Sequence, residues 1–324
     1  MPKEITHWLV AEAVSKRLEG SFFEEPLRRN PNLLHIGAII HDAPYYYLKG
    51  DFDSRFGSLP TKLHGTVEDA VELIESLLRY LLGLPEDLKE QLTAFLVGLI
   101  THLYADALMH PLIFYLTGPY DARDLKRRSA ARQDHRMLET LIDMCLAGGY
   151  HRVRGHSLAA YIRDAEMPLL ELHDHLDKTW LRDEDTERFA EGLLSSFRLF
   201  SFMQSLYRSR LAGRLTPFLM AVSPPQLREV LALVYSPRLM GHCWRIEGAI
   251  PCRHPSTGEV RSQSIGVLFQ DAVDRSVEFC LGIEPVLGSG SSAPGAWSLP
   301  LVDPSLGFGP GGSLRFFAPG RFFD

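Results

Sequence analysis

Cysteine is scarce in this chain. The four present, Cys145, Cys243, Cys252 and Cys280, lie far apart in 324 residues and form no CxxC pair. That pattern fits neither a disulfide framework nor a thiolate zinc site, so free thiols and a reducing, cytoplasmic location are expected. Basic charge is also in deficit, with 34 Lys and Arg against 40 Asp and Glu, a formal net charge of −6. Broad neutralisation of a phosphate backbone calls for the opposite balance, which disfavours a nucleic-acid partner. Long uninterrupted apolar runs are missing too. Lys3 and Glu4 break up the first residues, removing the apolar core of a secretory signal. The most apolar stretch, Leu92 to Leu116, carries Thr101, His102, Asp106 and His110 in its middle, so it reads as a buried helix and not as a membrane span.

What is present is helical periodicity. Up to about residue 240 the apolar residues recur at three and four, the spacing of one helix face, and the body is predicted to be all-α. Ile5, Trp8, Leu9, Val14 and Leu18 stripe a first helix; a second runs from about Asn32 to His41 and stops before Pro44. Residues 44 to 65 read as a loop, followed by a helix to Leu82. The longest helix opens at Pro85, ends at Gly118-Pro119, and should kink or break at Pro111. Further helices fit 122–146, 158–181, 185–211 and 225–235. Three regions result: a helical domain over 1–240, a hairpin-like excursion and helix over 241–285 packed on the same domain, and a tail over 286–324. That tail holds 8 Gly, 5 Pro and 6 Ser and is expected to be disordered.

Polar groups set inside apolar helices are the informative feature. His102, Asp106 and His110 recur every four residues and share one helix face. A buried carboxylate costs several kcal/mol unless it is paired or binds a metal, and two imidazoles beside it are hard to satisfy by core hydrogen bonds alone. His135 and Glu139 repeat the spacing on the next helix. Upstream stand His41 and Asp42 at a helix end, His64 just before another helix, and His7 on the first. Zinc takes His nitrogen and carboxylate oxygen, and helical bundles build such sites from inward-facing residues on several helices.

Taken in order, Thr6-His7-Trp8, His41-Asp42-Ala43-Pro44, His64-Gly65, the run from His102 to Pro111, and His135 to Glu139 resemble the zinc-dependent phospholipase C family. The single-strand-specific zinc nucleases and the N-terminal region of glycosylphosphatidylinositol phospholipase D share its helical fold. The resemblance implies one metal held by Asp42, His64, His102 and Asp106, and a second held by His110, His135 and Glu139. It implies a third near His7 and Asp106, completed in exported relatives by the mature N-terminal amine. Here six residues precede His7, so two tightly bound zincs are expected and the third should be weak or absent. The spacing from Asp106 to His110 also leaves three residues between them where the bacterial phospholipases have five.

The implied activity is phosphodiester hydrolysis of the phospholipase C kind, with Asp42 orienting or deprotonating the attacking water and Tyr45, Tyr46 and Phe56 lining the substrate mouth. A phospholipid or other phosphodiester is the expected substrate, reached by transient contact with a membrane surface and without an integral membrane segment. Three alternatives compete. An HD-type metal phosphohydrolase uses the adjacent His41 and Asp42 but leaves His135 and Glu139 idle. A nuclease of the same fold shares every ligand. A non-catalytic helical scaffold would keep the metal cluster for stability alone.

Overall fold

The computed structural model describes residues 3–47, 67–163, 165, 168–169, 186–289 and 314–323. His64 and Phe56 lie outside the described residues, as do most of the 44–65 loop and of the 158–181 helix. The body is mostly helical, as the periodicity predicts. In chain order it comprises α1 (Glu4–Arg17), α2 (Glu24–Arg29), α3 (Pro31–Gly37), α4 (Val67–Leu82), α5 (Glu86–Thr117), α6 (Leu125–Leu146), α7 (Thr186–Tyr207), α8 (Arg210–Val222) and α9 (Pro225–Leu231). A short α10 (Trp244–Glu247), an antiparallel pair β1 (Ile250–Arg253) and β2 (Val260–Gln263), and α11 (Ile265–Ser289) follow.

Helix α5 is the axis of the molecule. Its length and composition would suffice to cross a membrane, yet 94% of its most apolar window is buried, with α3 and α11 as its closest neighbours. Pro111 does not end it. The proline is buried within a continuous helix, so packing on all sides outweighs the ~3 kcal/mol that an interior proline costs. Two glycines set the approach of α3 to α5. A Cβ on Gly37 would run into the Phe95 carbonyl, and one on Gly98 into that of Leu34, so the two backbones touch where side chains would otherwise separate them.

Helix α1 has no local side-chain cap at Lys3. Its first N–H groups are satisfied from α6 instead: Asp143 accepts from Ile5 N–H (3.3 Å), Thr6 N–H (2.8 Å) and the Thr6 hydroxyl (2.6 Å), and also from the Tyr235 hydroxyl (2.6 Å). A carboxylate is well suited to this place, since the helix dipole is positive there.

Two expectations are corrected. Cys145 and Cys243 form a disulfide across 98 residues with Cα atoms 6.1 Å apart, while Cys252 and Cys280 are free and buried. The pairing was invisible because it depends on the return of the chain past α9 to the end of α6. The tail is also not disordered throughout. Helix α11 continues to Ser289, past the expected boundary at 286, and residues 314–323 lie against the body. There Arg315 and Phe316 donate to the Pro255 carbonyl, Ala318 donates to the Tyr115 carbonyl, and the Arg321 guanidinium pairs with buried Asp134 on α6. Phe316, Phe322 and Arg321 thus supply contacts that the glycine-rich composition masks.

Candidate metal centre

Three helices bring the centre together. His7 comes from α1, His102, Asp106 and His110 from α5, and His135 and Glu139 from α6; all six are buried. Their ligand atoms fall into two groups, His7 with His102 and Asp106, and His110 with His135 and Glu139, each with its atoms within 4.8 Å of one another. Asp106 connects the groups. Its Oδ1 lies 3.4 Å from His7 Nε2 and 3.8 Å from His110 Nε2, and its Oδ2 lies 3.4 Å from His102 Nε2. The four-residue spacing along α5 puts all three of its ligands on one face, and the Asp143 anchor turns His7 on α1 toward them.

Supporting hydrogen bonds fix which ring nitrogen faces inward. His102 Nδ1 lies 2.8 Å from the Ala38 carbonyl, so Nδ1 carries the proton and Nε2 keeps its lone pair toward Asp106. The Gly37–Gly98 approach is what brings that carbonyl within reach. His135 has Nδ1 at 3.4 Å from the Thr117 hydroxyl and Nε2 at 2.9 Å from Glu139 Oε1. The Thr117 hydroxyl donates to the Ile113 carbonyl, leaving its oxygen as the acceptor for His135. Neither ring nitrogen of His110 has a hydrogen-bond partner among the described residues.

The electrostatics agree with a cation-binding centre. Burial holds the pKa values of His7, His110 and His135 below the ordinary imidazole range, so their lone pairs are available. Burial pushes Asp106 upward, but the rings of His110 and His102 outweigh it and hold the carboxyl well below its usual value. Glu139 is likewise held down at about 2 despite burial, with His135 among the groups responsible. Buried imidazole nitrogens beside ionised carboxylates make a nitrogen and oxygen donor set that fits zinc.

The remaining expected site residues divide. His7 lies beside Asp106, as the resemblance implies, and in one group with His102 as well. Asp42 is buried at the head of a 3₁₀ turn, Ala43–Tyr46, and faces a cavity of about 400 Å³ that also takes in His135 and Glu139. Tyr45 and Tyr46 line the same cavity. His41 stacks on the His102 ring, with centroids 4.7 Å apart, and His7 stacks on the same ring at 4.2 Å.

Other lining residues carried no signal in the sequence. Lys3, Glu4, Tyr120 and Arg136 contribute polar or aromatic surface, and Leu199, Phe200 and Met203 of α7 form an apolar wall with Val230 and Leu233. Only Arg136, adjacent to His135, could have been suspected. A third group, Glu12 with His35 and His156, also gathers its ligand atoms within 4.8 Å. It lies beyond Trp8, whose indole N–H donates to the His35 carbonyl, and it is partly exposed.

Fold and centre together define a helical bundle with a buried cluster of imidazoles and carboxylates whose ligand atoms are grouped closely enough to hold a metal. The family model of zinc-dependent phospholipase C matches residues 6–196, more than half of the chain, and the protein belongs to that family. Neither curated proteins nor solved structures give a match.

Proposed function

We propose that this member of the family is a metal-dependent phosphodiester hydrolase acting on phospholipids in the manner of a phospholipase C. The observation that carries the reading is one cavity in which Asp42, His135, Glu139 and the charged Lys3, Glu4 and Arg136 meet a wall of aromatic and aliphatic side chains. A volume of about 400 Å³ suits a small organic ligand with one polar end.

Zinc would be held by His7, His102 and Asp106 and by His110, His135 and Glu139, with Asp42 and His64 as further ligands implied by the family resemblance. When bound, the metal supplies Lewis acidity, lowering the pKa of water and offsetting charge on phosphoryl oxygens. Asp42, at the cavity wall, orients the attacking water and accepts its proton. The water oxygen bonds to phosphorus, the bond from phosphorus to the glycerol oxygen breaks, and that oxygen leaves as the diacylglycerol alcohol, taking up the proton that Asp42 accepted. Burial raises the phenol pKa values of Tyr45, Tyr46 and Tyr120, so they stay protonated and act as hydrogen-bond donors and stacking walls for the head group. Arg136 adds positive charge at the phosphate end, and the α7 wall takes the apolar part of the substrate.

The test is a panel of a phosphatidylcholine, a phosphatidylethanolamine, a single-stranded oligonucleotide and a chromogenic phosphodiester. Chelation should abolish turnover and zinc should restore it. Asp42→Asn should lose at least ~10²-fold in kcat. Full turnover by metal-free protein overturns the reading, and cleavage of the oligonucleotide alone replaces it with a nuclease.

A further inference from the structure

Large exposed apolar side chains concentrate on two consecutive helices. Phe202 and Leu206 on α7 and Leu211, Leu215, Phe218 and Val222 on α8 all face solvent. On α8 the spacing of 4, 3 and 4 residues sets its four on one face, and Leu211 and Phe218 are each 67% exposed. This inverts the usual arrangement of a surface helix. The inward face of α8 is made of small residues: Gly213 sits so close to the Tyr235 carbonyl that a Cβ there would clash, and Thr216 is buried beside it. The helix is packed tightly by its small side and presents its large apolar side outward.

Charge segregates in the same region. From the start of α7, residues 186–240 contain seven arginines, Arg188, Arg198, Arg208, Arg210, Arg214, Arg228 and Arg238, against three acids, Glu187, Glu191 and Glu229, within a chain of net charge −6. Arg210 and Arg214 are exposed on α8 itself. The patch is continuous with the cavity, because Val230 on α9 both lines it and is 38% exposed, and Met203, next to Phe202, lines it too.

We propose that the outward face of α7 and α8 docks on an anionic phospholipid bilayer and seats the cavity mouth at the head-group layer. Apolar side chains flanked by arginines are what such an interface recognises: the first enter the acyl boundary and the second meet lipid phosphates. A second copy of this chain is a poorer occupant, since the arginines would face arginines across the contact. The choice of lipid as occupant rests on the phospholipid reading of the cavity, and the experiment separates the two.

Binding of the full-length protein to vesicles is measured by flotation, using phosphatidylcholine with and without phosphatidylglycerol. Hydrolysis of a soluble short-chain phosphodiester and metal content are followed in parallel. Wild type should float with the anionic vesicles. The triple variant Leu211→Ser, Phe218→Ser, Val222→Ser should lose flotation while its metal content and any soluble-substrate turnover stay at the wild-type level. Arg210→Ser and Arg214→Ser should each weaken binding about fivefold, the loss shrinking at high salt. Wild type that floats yet cleaves no phosphodiester supports the docking face and overturns only the proposed activity. Flotation unchanged in the triple variant overturns the docking face, as does a wild-type dimer that does not float and becomes monomeric in the triple variant.

Discussion

Asp106 is shared, its two oxygens being divided among His7, His102 and His110. A neutral amide there would remove the negative charge that offsets repulsion between two nearby cations. Asp106→Asn should therefore lose metal from both groups, whereas His110→Ala should lose it from one, as elemental analysis after dialysis would show. Likewise Glu139→Ala should impair activity more than His41→Ala, because Glu139 belongs to a ligand group and His41 packs on a ligand's ring; the reverse order would favour HD-type chemistry. These side chains were legible in the sequence because a four-residue period inside an apolar helix has few innocuous explanations. Asp143 was not, since its partners lie on other elements. Burial and the neighbouring Glu4 carboxylate raise its pKa to about 7, against the positive charge of Lys3 and the hydrogen bonds from Thr6 and Tyr235. A carboxyl with a raised folded-state pKa stabilises most below its unfolded value of 3.8 and loses that contribution as pH rises through about 7. Denaturation midpoints should fall across that window in wild type and fall less in Asp143→Asn.

Among the elements, the contact of α3 with α5 has the least tolerance. Either Gly37→Ala or Gly98→Ala would place a methyl group against backbone, and backbone cannot swing aside as a side chain can. The expected loss is about 2 kcal/mol or more, read from chemical denaturation, together with weaker metal retention as the Ala38 carbonyl moves away from His102. Glycine in a helix is visible in a sequence, but its partner across an interface is not. The same limit hid the cavity wall. Leu199 and Met203 have helical spacing, and an apolar face turned to a cavity reads no differently from one turned to a core. At Pro111 the local rule was outweighed by burial on every side of α5.

For the whole molecule, the decisive contacts are those that tie late segments to early ones. Arg321 neutralises buried Asp134, the neighbour of His135, so the 314–323 segment braces the helix that carries two ligands. The Cys145–Cys243 bond ties the end of α6 to the segment after α9. Replacing both cysteines by serine should lower stability by about 3 kcal/mol, measured against wild type in the absence of reductant. We propose an oxidising compartment on this ground, in place of the cytoplasmic expectation. Protein taken from its native cells should then show two reactive thiols after unfolding, Cys252 and Cys280; four would return it to a reducing one. The bond also closes a ring of chain containing α7, α8 and α9. If the molecule were stretched by its two ends until every helix gave way, the chain between those cysteines, 98 residue steps long, would carry no load. Its full extension would fall short by roughly 340 Å, at about 3.5 Å for each residue, and a reducing agent would release that hidden length in one step.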